Sequence, residues 1–237
     1  MSTALAIVQN EYGFALAADS FHCDAGDGHV ISEDVQKIFP LKTHLAYCLC
    51  GTITYNGADD SGNKKCLFDY AAVVPKILTT VDEFATLTQF ADDFGRRLHK
   101  KLRRAVSQFR DPVSGSAYIS FVGYYKGVAG FLILESSVVE GVIKRPVLHD
   151  RKPAYHSLEG CFPSTMLKQF YSDPMFIAFR DVDSTHKGIE RAVEIARQAV
   201  TACYDPAVRS RYPECQVVGG KIRIAKITYD RGFESIC

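Results

Sequence analysis

Short apolar runs separated by polar turns dominate the first part of the chain. Residues 3–9 (TALAIVQ) and 13–19 (GFALAAD) flank a polar segment, Asn10-Glu11-Tyr12-Gly13, in which the glycine is free to adopt a positive φ. This pattern predicts a β-hairpin. A further apolar run at 44–50 (HLAYCLC), which stops at Gly51, predicts another strand.

The apolar pattern takes on a helical period at two places. An apolar residue recurs every three or four positions in 82–109 and again in 187–203. This spacing predicts two amphipathic helices, each burying one face. A shorter helix is predicted at 164–171, between two prolines. The turn-rich segment 54–65 is predicted to be an exposed loop.

The remaining strong patterns indicate strands and a fold class. Residues 118–125 and 128–135 predict a strand pair around a Lys-Gly turn, with a third strand at 138–143 and a last one at 221–229. Strands, helices and strands follow one another without regular strand–helix alternation. This order predicts an α+β protein with antiparallel sheets, and we expect residues 1–237 to form one domain.

Composition and charge exclude several classes of function. The chain has 237 residues, with 28 Lys and Arg against 27 Asp and Glu. This balance gives no global attraction to nucleic acid or to an anionic membrane. No apolar run approaches the ~18 residues of a membrane span, and no basic leader is seen. The eight cysteines contain no C-x-x-C pair, so we expect reduced thiols and a cytoplasmic protein.

The basic and histidine residues do not predict a nucleic-acid or metal site. The run at 96–104 (RRLHKKLRR) keeps its leucines on the helical stripe, so its charges are predicted to form a solvated helix face. The seven histidines show no spacing typical of metal ligands. We therefore expect no nucleic-acid partner, no membrane partner and no cofactor.

Three residues near the N-terminus combine into a candidate reaction centre. A threonine with a free α-amino group can act as nucleophile and base together, because the amine has a pKa near ~8 and can accept the hydroxyl proton. Thr3 is such a residue if it becomes the first one. The site also needs a cation to tune the amine and a carboxylate to hold that cation. Lys37 and Asp19, which ends an apolar run, supply these groups.

The spacing of these residues resembles that in a known family. The matching positions are Thr3, Gly13, Ala17-Ala18-Asp19-Ser20, Lys37-Ile38-Phe39-Pro40 and Gly51. They resemble the N-terminal third of proteasome β-type subunits and of related bacterial ring peptidases, which are N-terminal-nucleophile hydrolases. In that family the threonine is followed by glycine ten residues on and by aspartate sixteen on, as here, and the interval of fourteen from Lys37 to Gly51 also agrees. Weaker similarity covers nearly the whole chain.

The resemblance implies a fold and an assembly. The family fold is a four-layer αββα sandwich, in which two stacked antiparallel sheets lie between helix layers. Family members assemble into rings, so we expect a homo-oligomer, with a peptide or protein as the substrate.

The resemblance also implies a threonine-type endopeptidase. The hydroxyl of Thr3 would attack a peptide carbonyl, and its own amine would relay the proton. Asp19 would face the terminal residue and Lys37, and the Gly51 backbone N–H would stabilise the oxyanion.

An apolar pocket for the substrate is expected beside this centre. Leu49 and Ile53 flank Gly51 and would help to line the pocket for the side chain before the cleaved bond. A peptide with an apolar residue at that place is therefore the expected substrate.

Departures from the family pattern leave two alternatives open. Thr3 becomes terminal only if Met1 and Ser2 are removed, and removal of methionine alone would make Ser2 the nucleophile. The arginine that usually follows the aspartate is Phe21 here. A catalytically inactive structural or interaction subunit is therefore the alternative to a peptidase.

Further departures fall in the C-terminal half. The family's Ser-Gly-Ser element corresponds to residues 158–161 (LEGC), which retain only the glycine. The later aspartate of the site corresponds to Asp205. The serine that usually precedes the glycine pair Gly219-Gly220 is Val218.

Overall fold

The described part of the chain begins with the β-hairpin that the first two apolar runs predict. The computed structural model describes residues 4–23, 30–58, 64–81, 83–107, 113–151, 158–162, 164–180 and 186–236. The strands are β1 (Leu5–Asn10), β2 (Gly13–Ala18), β3 (His22–Cys23), β4 (Val30–Ser32), β5 (Ile38–Lys42), β6 (Leu45–Gly51), β7 (Thr54–Ala58), β8 (Lys64–Asp69), β9 (Gly115–Tyr125), β10 (Val128–Val139), β11 (Val142–Ile143), β12 (Val147–Asp150), β13 (Leu158–Phe162), β14 (Arg223–Thr228) and β15 (Gly232–Ile236). The helices are α1 (Tyr70–Leu78), α2 (Leu87–Val106), α3 (Ser164–Gln169), α4 (Ile177–Arg180), α5 (Ile189–Ala202) and α6 (Pro206–Arg211), with 3-10 turns at Pro174–Phe176 and Pro213–Val217.

Most of the strands belong to two antiparallel sheets. The five-stranded sheet has the order β13-β1-β2-β14-β15, and the six-stranded sheet has the order β11-β10-β9-β6-β5, with β12 also paired to β10. Two further sheets are two-stranded ribbons, β3–β4 and β7–β8. The N-terminal strand β1 therefore lies inside the five-stranded sheet, between β13 and β2.

The predicted four-layer αββα sandwich of two sheets is wrong. The described residues form a mixed structure whose strands are distributed over several antiparallel sheets, one of them six-stranded. The physical reason is that some short strands pair only with a near neighbour in the sequence instead of joining the larger sheets. The ribbons β3–β4 and β7–β8 arise in this way.

The segment predicted to be an exposed loop contains one of these ribbons. Residues 54–58 form β7 and residues 64–65 start β8, while residues 59–63 lie outside the described residues. Tyr55 and Phe68 bury all but 2% and 5% of their surface. The ring of Phe68 packs edge-on against Tyr70, with the two centroids 4.9 Å apart. Burial of aromatic side chains outweighs the turn-rich composition here. Helix α1 follows directly, and Asp69 caps it by accepting a hydrogen bond from Ala71 N.

The two amphipathic helices are confirmed. Helix α2 begins after Thr86, whose hydroxyl caps it by accepting a hydrogen bond from Gln89 N, and Phe94, Leu98 and Leu102 are fully buried along it. Helix α5 covers most of the second predicted segment. In the described ranges, no helix is both long and apolar enough to cross a membrane.

Three hydrophobic clusters hold the elements together. The first joins α1 and α2 to one face of the six-stranded sheet, and the second joins α5 and the short C-terminal helices to the five-stranded sheet. The third combines side chains from both sheets, with Leu16 and Ile227 from one and Cys48 and Val122 from the other. The two sheets therefore share a core, and the candidate site lies where β2 leaves it.

Candidate functional site

Asp19 lies at the end of the N-terminal hairpin. It follows β2 directly, and its backbone N–H donates to Ala4 O over 3.1 Å. In return, Ala4 N donates to Asp19 Oδ1 over 2.9 Å. The Asp19 carboxylate is therefore hydrogen-bonded to the first described residue of the chain. Thr3, the predicted nucleophile, lies outside the described residues, as do Met1 and Ser2.

Lys37 forms a buried ion pair with Asp19. Its Nζ lies 2.7 Å from Asp19 Oδ1, and the two side chains are 1% and 0% exposed. Lys37 immediately precedes β5, and its carbonyl accepts a hydrogen bond from Leu49 N over 3.0 Å, which fixes it to β6. The sequence predicts this pair, and the structure brings the two residues together; their catalytic roles stay predictions.

The second carboxylate oxygen of Asp19 accepts backbone donors. Gly219 N and Phe21 N donate to Oδ2 over 3.1 Å and 3.3 Å. With Ala4 N and Lys37 Nζ on Oδ1, both oxygens are occupied, which is the saturation that a buried carboxylate requires. Asp19 is therefore suited to fixing the positions of its neighbours and of the Lys37 cation.

Burial opposes the charged form of each partner. Desolvation raises the pKa of Asp19, while Lys37 and the backbone N–H groups of Gly219 and Phe21 act in the opposite direction. Desolvation lowers the pKa of Lys37, and Asp19 partly offsets this. Lys37 therefore holds its proton less tightly than an exposed lysine.

Ser20 fixes the segments around the ion pair. Its hydroxyl donates to Glu33 O and accepts a hydrogen bond from Lys221 N over 2.8 Å. Its carbonyl accepts a hydrogen bond from Val35 N over 2.9 Å. The end of β2 is thus joined both to the segment that leads to Lys37 and to the turn after Gly219. These contacts were not predicted as part of the site, because nothing local in the sequence reveals pairings so distant along the chain.

Gly51 ends β6 in a backbone conformation that disfavours any residue with a side chain at this position. Its φ is +79°, and a Cβ added there would lie 2.3 Å from Ser116 O. The next residue, Thr52, donates its N–H to the same Ser116 oxygen over 2.8 Å. These contacts explain the glycine on structural grounds alone, and its role as oxyanion donor stays a prediction.

Leu49 and Ile53 lie in the core. They are 2% and 4% exposed and belong to the cluster that α1 and α2 form with the six-stranded sheet. Their side chains are therefore enclosed by protein and do not line an open pocket. Their proposed part in substrate binding stays a prediction without structural support.

The positions that depart from the family pattern have structural roles. Phe21 packs on Gly219, where a Cβ would lie 2.3 Å from the phenyl ring. Val218 is fully buried. Asp205 caps α6 by accepting hydrogen bonds from Ala207 N and Val208 N over 2.8 Å and 3.2 Å. The segment 158–162, which corresponds to the Ser-Gly-Ser element, is strand β13 and pairs with β1.

Comparison with known proteins adds no assignment. No protein-family model matches the chain, and no curated protein matches it. Within the part of the chain that the structure describes, no group of three His, Cys, Asp or Glu side chains is placed to hold a metal ion.

Proposed function

We propose that this protein is an N-terminal-nucleophile hydrolase of amide bonds, a threonine-type peptidase resembling proteasome β-type subunits. The observation that carries the proposal is the buried Lys37–Asp19 pair, which Asp19 links by a hydrogen bond to Ala4, the residue after Thr3. A buried lysine is costly to a fold unless it is paired, and the carboxylate that pairs with Lys37 also accepts a hydrogen bond from Ala4 N.

In the proposed reaction, Thr3 is exposed by removal of Met1 and Ser2. Its amine accepts the hydroxyl proton, and the oxygen attacks the peptide carbonyl. The Gly51 N–H stabilises the oxyanion, and the amine returns the proton to the leaving nitrogen as the C–N bond breaks. Water then hydrolyses the acyl ester with the same amine as base. The Lys37 cation lowers the proton affinity of the amine by electrostatic repulsion.

Hydrolysis of fluorogenic peptides tests this proposal. The enzyme is prepared as a fusion whose cleavage leaves Thr3 as the first residue, beside a matched Thr3→Ala form. Activity should fall at least about a hundredfold in the alanine form, because nucleophile and acid–base functions are lost together. Equal activity of the two forms would show that Thr3 is not the nucleophile.

A second candidate, an inactive structural or interaction subunit, is favoured by one observation. Asp205, which corresponds to the later aspartate of the family site, caps α6 with its carboxylate. A chain lacking that group at the site could keep the fold without the reaction. Intact-mass spectrometry separates the candidates, since a retained Met1 or an acetylated Ser2 together with no turnover supports the inactive subunit.

A further inference from the structure

A hydrogen-bonded row of side chains crosses the edge of the six-stranded sheet. Ser116 Oγ on β9 lies 2.7 Å from Ser137 Oγ on β10, and Ser137 Oγ donates to Glu135 Oε1 over 2.9 Å. Glu135 Oε2 lies 3.1 Å from His149 Nε2 on β12. The row therefore connects three neighbouring strands and ends in a histidine–carboxylate pair.

This row faces the five-stranded sheet. On β10, Leu132 and Leu134 pack toward the helices, whereas Phe131 and Ile133 belong to the core between the sheets. Because side chains alternate along a strand, Glu135 lies on the same face as Ile133.

Exposure changes sharply along that face. Ile133 is 4% exposed, but the side chains of Glu135 and His149 are 29% and 37% exposed. The space between the sheets therefore opens to solvent at the Glu135–His149 pair.

The pair lies on the same sheet face as the surroundings of Lys37. Cys50, Tyr118 and Glu135 are directly opposite one another on β6, β9 and β10. Two strand spacings separate Cys50 from Glu135, a distance of about 10 Å. Lys37 O accepts a hydrogen bond from Leu49 N, the residue before Cys50, over 3.0 Å. An extended peptide advances about 3.3 Å per residue, so roughly three residues span this interval.

The Glu135 carboxylate has unused capacity to accept hydrogen bonds. Each oxygen of Glu135 has one side-chain partner, although a carboxylate can accept about four hydrogen bonds. Among the described residues no lysine or arginine forms an ion pair with Glu135; its one such partner is His149. A cation entering from solvent would meet an oriented, partly desolvated acceptor, where a charge-assisted hydrogen bond is stronger than a neutral one.

We infer that the Glu135–His149 pair is a substrate subsite that binds a cationic side chain, lysine or arginine, about three residues from the cleaved bond. The inference rests on the proposed peptidase function. Glu135 contacts the cation, while His149 and Ser137 orient its carboxylate. The substrate class is therefore a peptide with a basic residue at that distance.

Binding of a peptide series tests the subsite without requiring turnover. Fluorescein-labelled hexapeptides carry one lysine at successive positions, and each has a twin with norleucine, a neutral side chain of similar length. Fluorescence polarisation measures their affinity for the full protein. At one position the lysine peptide should bind about tenfold more tightly, the size of one charge-assisted hydrogen bond.

Substitutions assign that preference to Glu135. Glu135→Gln keeps the shape of the side chain and removes its charge, so the lysine and norleucine peptides should bind this variant with about equal affinity. Glu83→Gln is the matched control, because Glu83 is exposed and paired with Lys42, and this variant should retain the preference. The scan of the wild-type protein remains decisive if Glu135→Gln does not fold.

Failure of the subsite and failure of the proposed function give different results. Turnover without a lysine preference at any position overturns the subsite and leaves the peptidase proposal standing. A preference that survives in Glu135→Gln also overturns it. A preference that Glu135→Gln abolishes, in a protein with no turnover, supports the subsite and contradicts the proposed hydrolysis. Absence of both turnover and peptide binding contradicts both.

Discussion

At the scale of the residue, the Asp19 carboxylate organises the candidate site. It accepts hydrogen bonds from Ala4 N, Lys37 Nζ, Gly219 N and Phe21 N, which come from four separate parts of the chain. A buried charge is tolerated only when hydrogen bonds and an opposite charge compensate for the lost solvation. Loss of one partner therefore destabilises the other contacts of Asp19 as well. The positions of the N-terminal strand and of Lys37 therefore depend on one side chain.

Removal of the Lys37 charge should destabilise the protein strongly. Lys37→Met leaves Asp19 as an unpaired buried carboxylate, and the free energy of unfolding should fall by about 3–5 kcal/mol. Lys42→Met is the matched control, because Lys42 forms an exposed pair with Glu83 and should change stability by less than about 1 kcal/mol. Urea unfolding measures both variants. Equal stabilities would show that the ion pair is not buried as described.

Two glycines with the same backbone conformation allow the cost of a left-handed backbone to be measured apart from the cost of a steric clash. Gly51 and Gly127 have φ values of +79° and +80°, but a Cβ at Gly51 would lie 2.3 Å from Ser116 O, whereas at Gly127 the nearest atom is Tyr229 OH at 3.7 Å. Gly127→Ala should cost about 1–2 kcal/mol for the left-handed backbone. Gly51→Ala should cost more, because backbone must also move. Thermal melting gives the comparison, and equal losses would contradict the close approach.

The sequence allows prediction of part of this site. Asp19 and Lys37 could be paired because their positions match a family pattern, although 18 residues separate them. Ser20 and Gly219 also match that pattern, but their contacts could not be predicted, since these depend on how β14 pairs with β2. The Glu135–His149 pair depends likewise on the return of β12 to β10.

At the scale of the element, Asp173 joins the short C-terminal helices. It caps the 3-10 turn at Pro174–Phe176 by accepting a hydrogen bond from Met175 N over 3.1 Å. It also accepts a hydrogen bond from Tyr212 OH and pairs with Arg211, each over 3.0 Å. The Met175 N–H, then the Tyr212 hydroxyl and the arginines, hold the pKa of Asp173 below its ordinary value.

The contacts of Asp173 should make the free energy of unfolding depend on pH. A carboxyl whose pKa is depressed on folding contributes stability above its unfolded value of about 3.9, and that contribution is lost as the pH falls through the folded value. Asp173→Asn should therefore be less stable than wild type at pH 7, and the difference should shrink below about pH 4. Urea midpoints between pH 7 and pH 3 measure it. A difference that stays constant over this range would contradict the depressed pKa.

The elements with strong periodicity were predictable, and those that depend on pairing were not. Helix α2 and the pair β9–β10 carry regular apolar patterns, and both are confirmed with small shifts at their ends. Helix α1 was missed because it is short and contains Pro75. The ribbon β7–β8 was not predicted, because its segment is rich in turn residues and its stability comes from the burial of aromatic side chains, which the local pattern does not reveal.

At the scale of the whole molecule, the two ends of the sheets differ in character. At one end, the polar side chains of Lys37 and Asp19 are buried. The opposite end, at the hairpin turns, exposes Tyr12, Val128 and Tyr229 by 53%, 70% and 66%. Apolar side chains exposed together in this way are typical of surfaces that associate.

We predict a homo-oligomer, in a ring, that uses this end. Light scattering at micromolar concentration should give a multiple of the 26.3 kDa chain mass. Val128→Asn with Tyr229→Asn should reduce the measured mass by weakening apolar contact. Val139→Asn is the control, since Val139 is 45% exposed at the other end of β10. A monodisperse species of one chain mass would contradict the prediction.

The identity of the nucleophile is the central claim, and one covalent label tests it most directly. A peptide epoxyketone closes a ring with both the hydroxyl and the free amine of one terminal residue, so only an N-terminal nucleophile can retain it. After treatment of the purified protein, mass spectrometry should place the adduct on Thr3, with none on a Thr3→Ala control. An unlabelled protein that keeps Met1 and Ser2 would contradict the account.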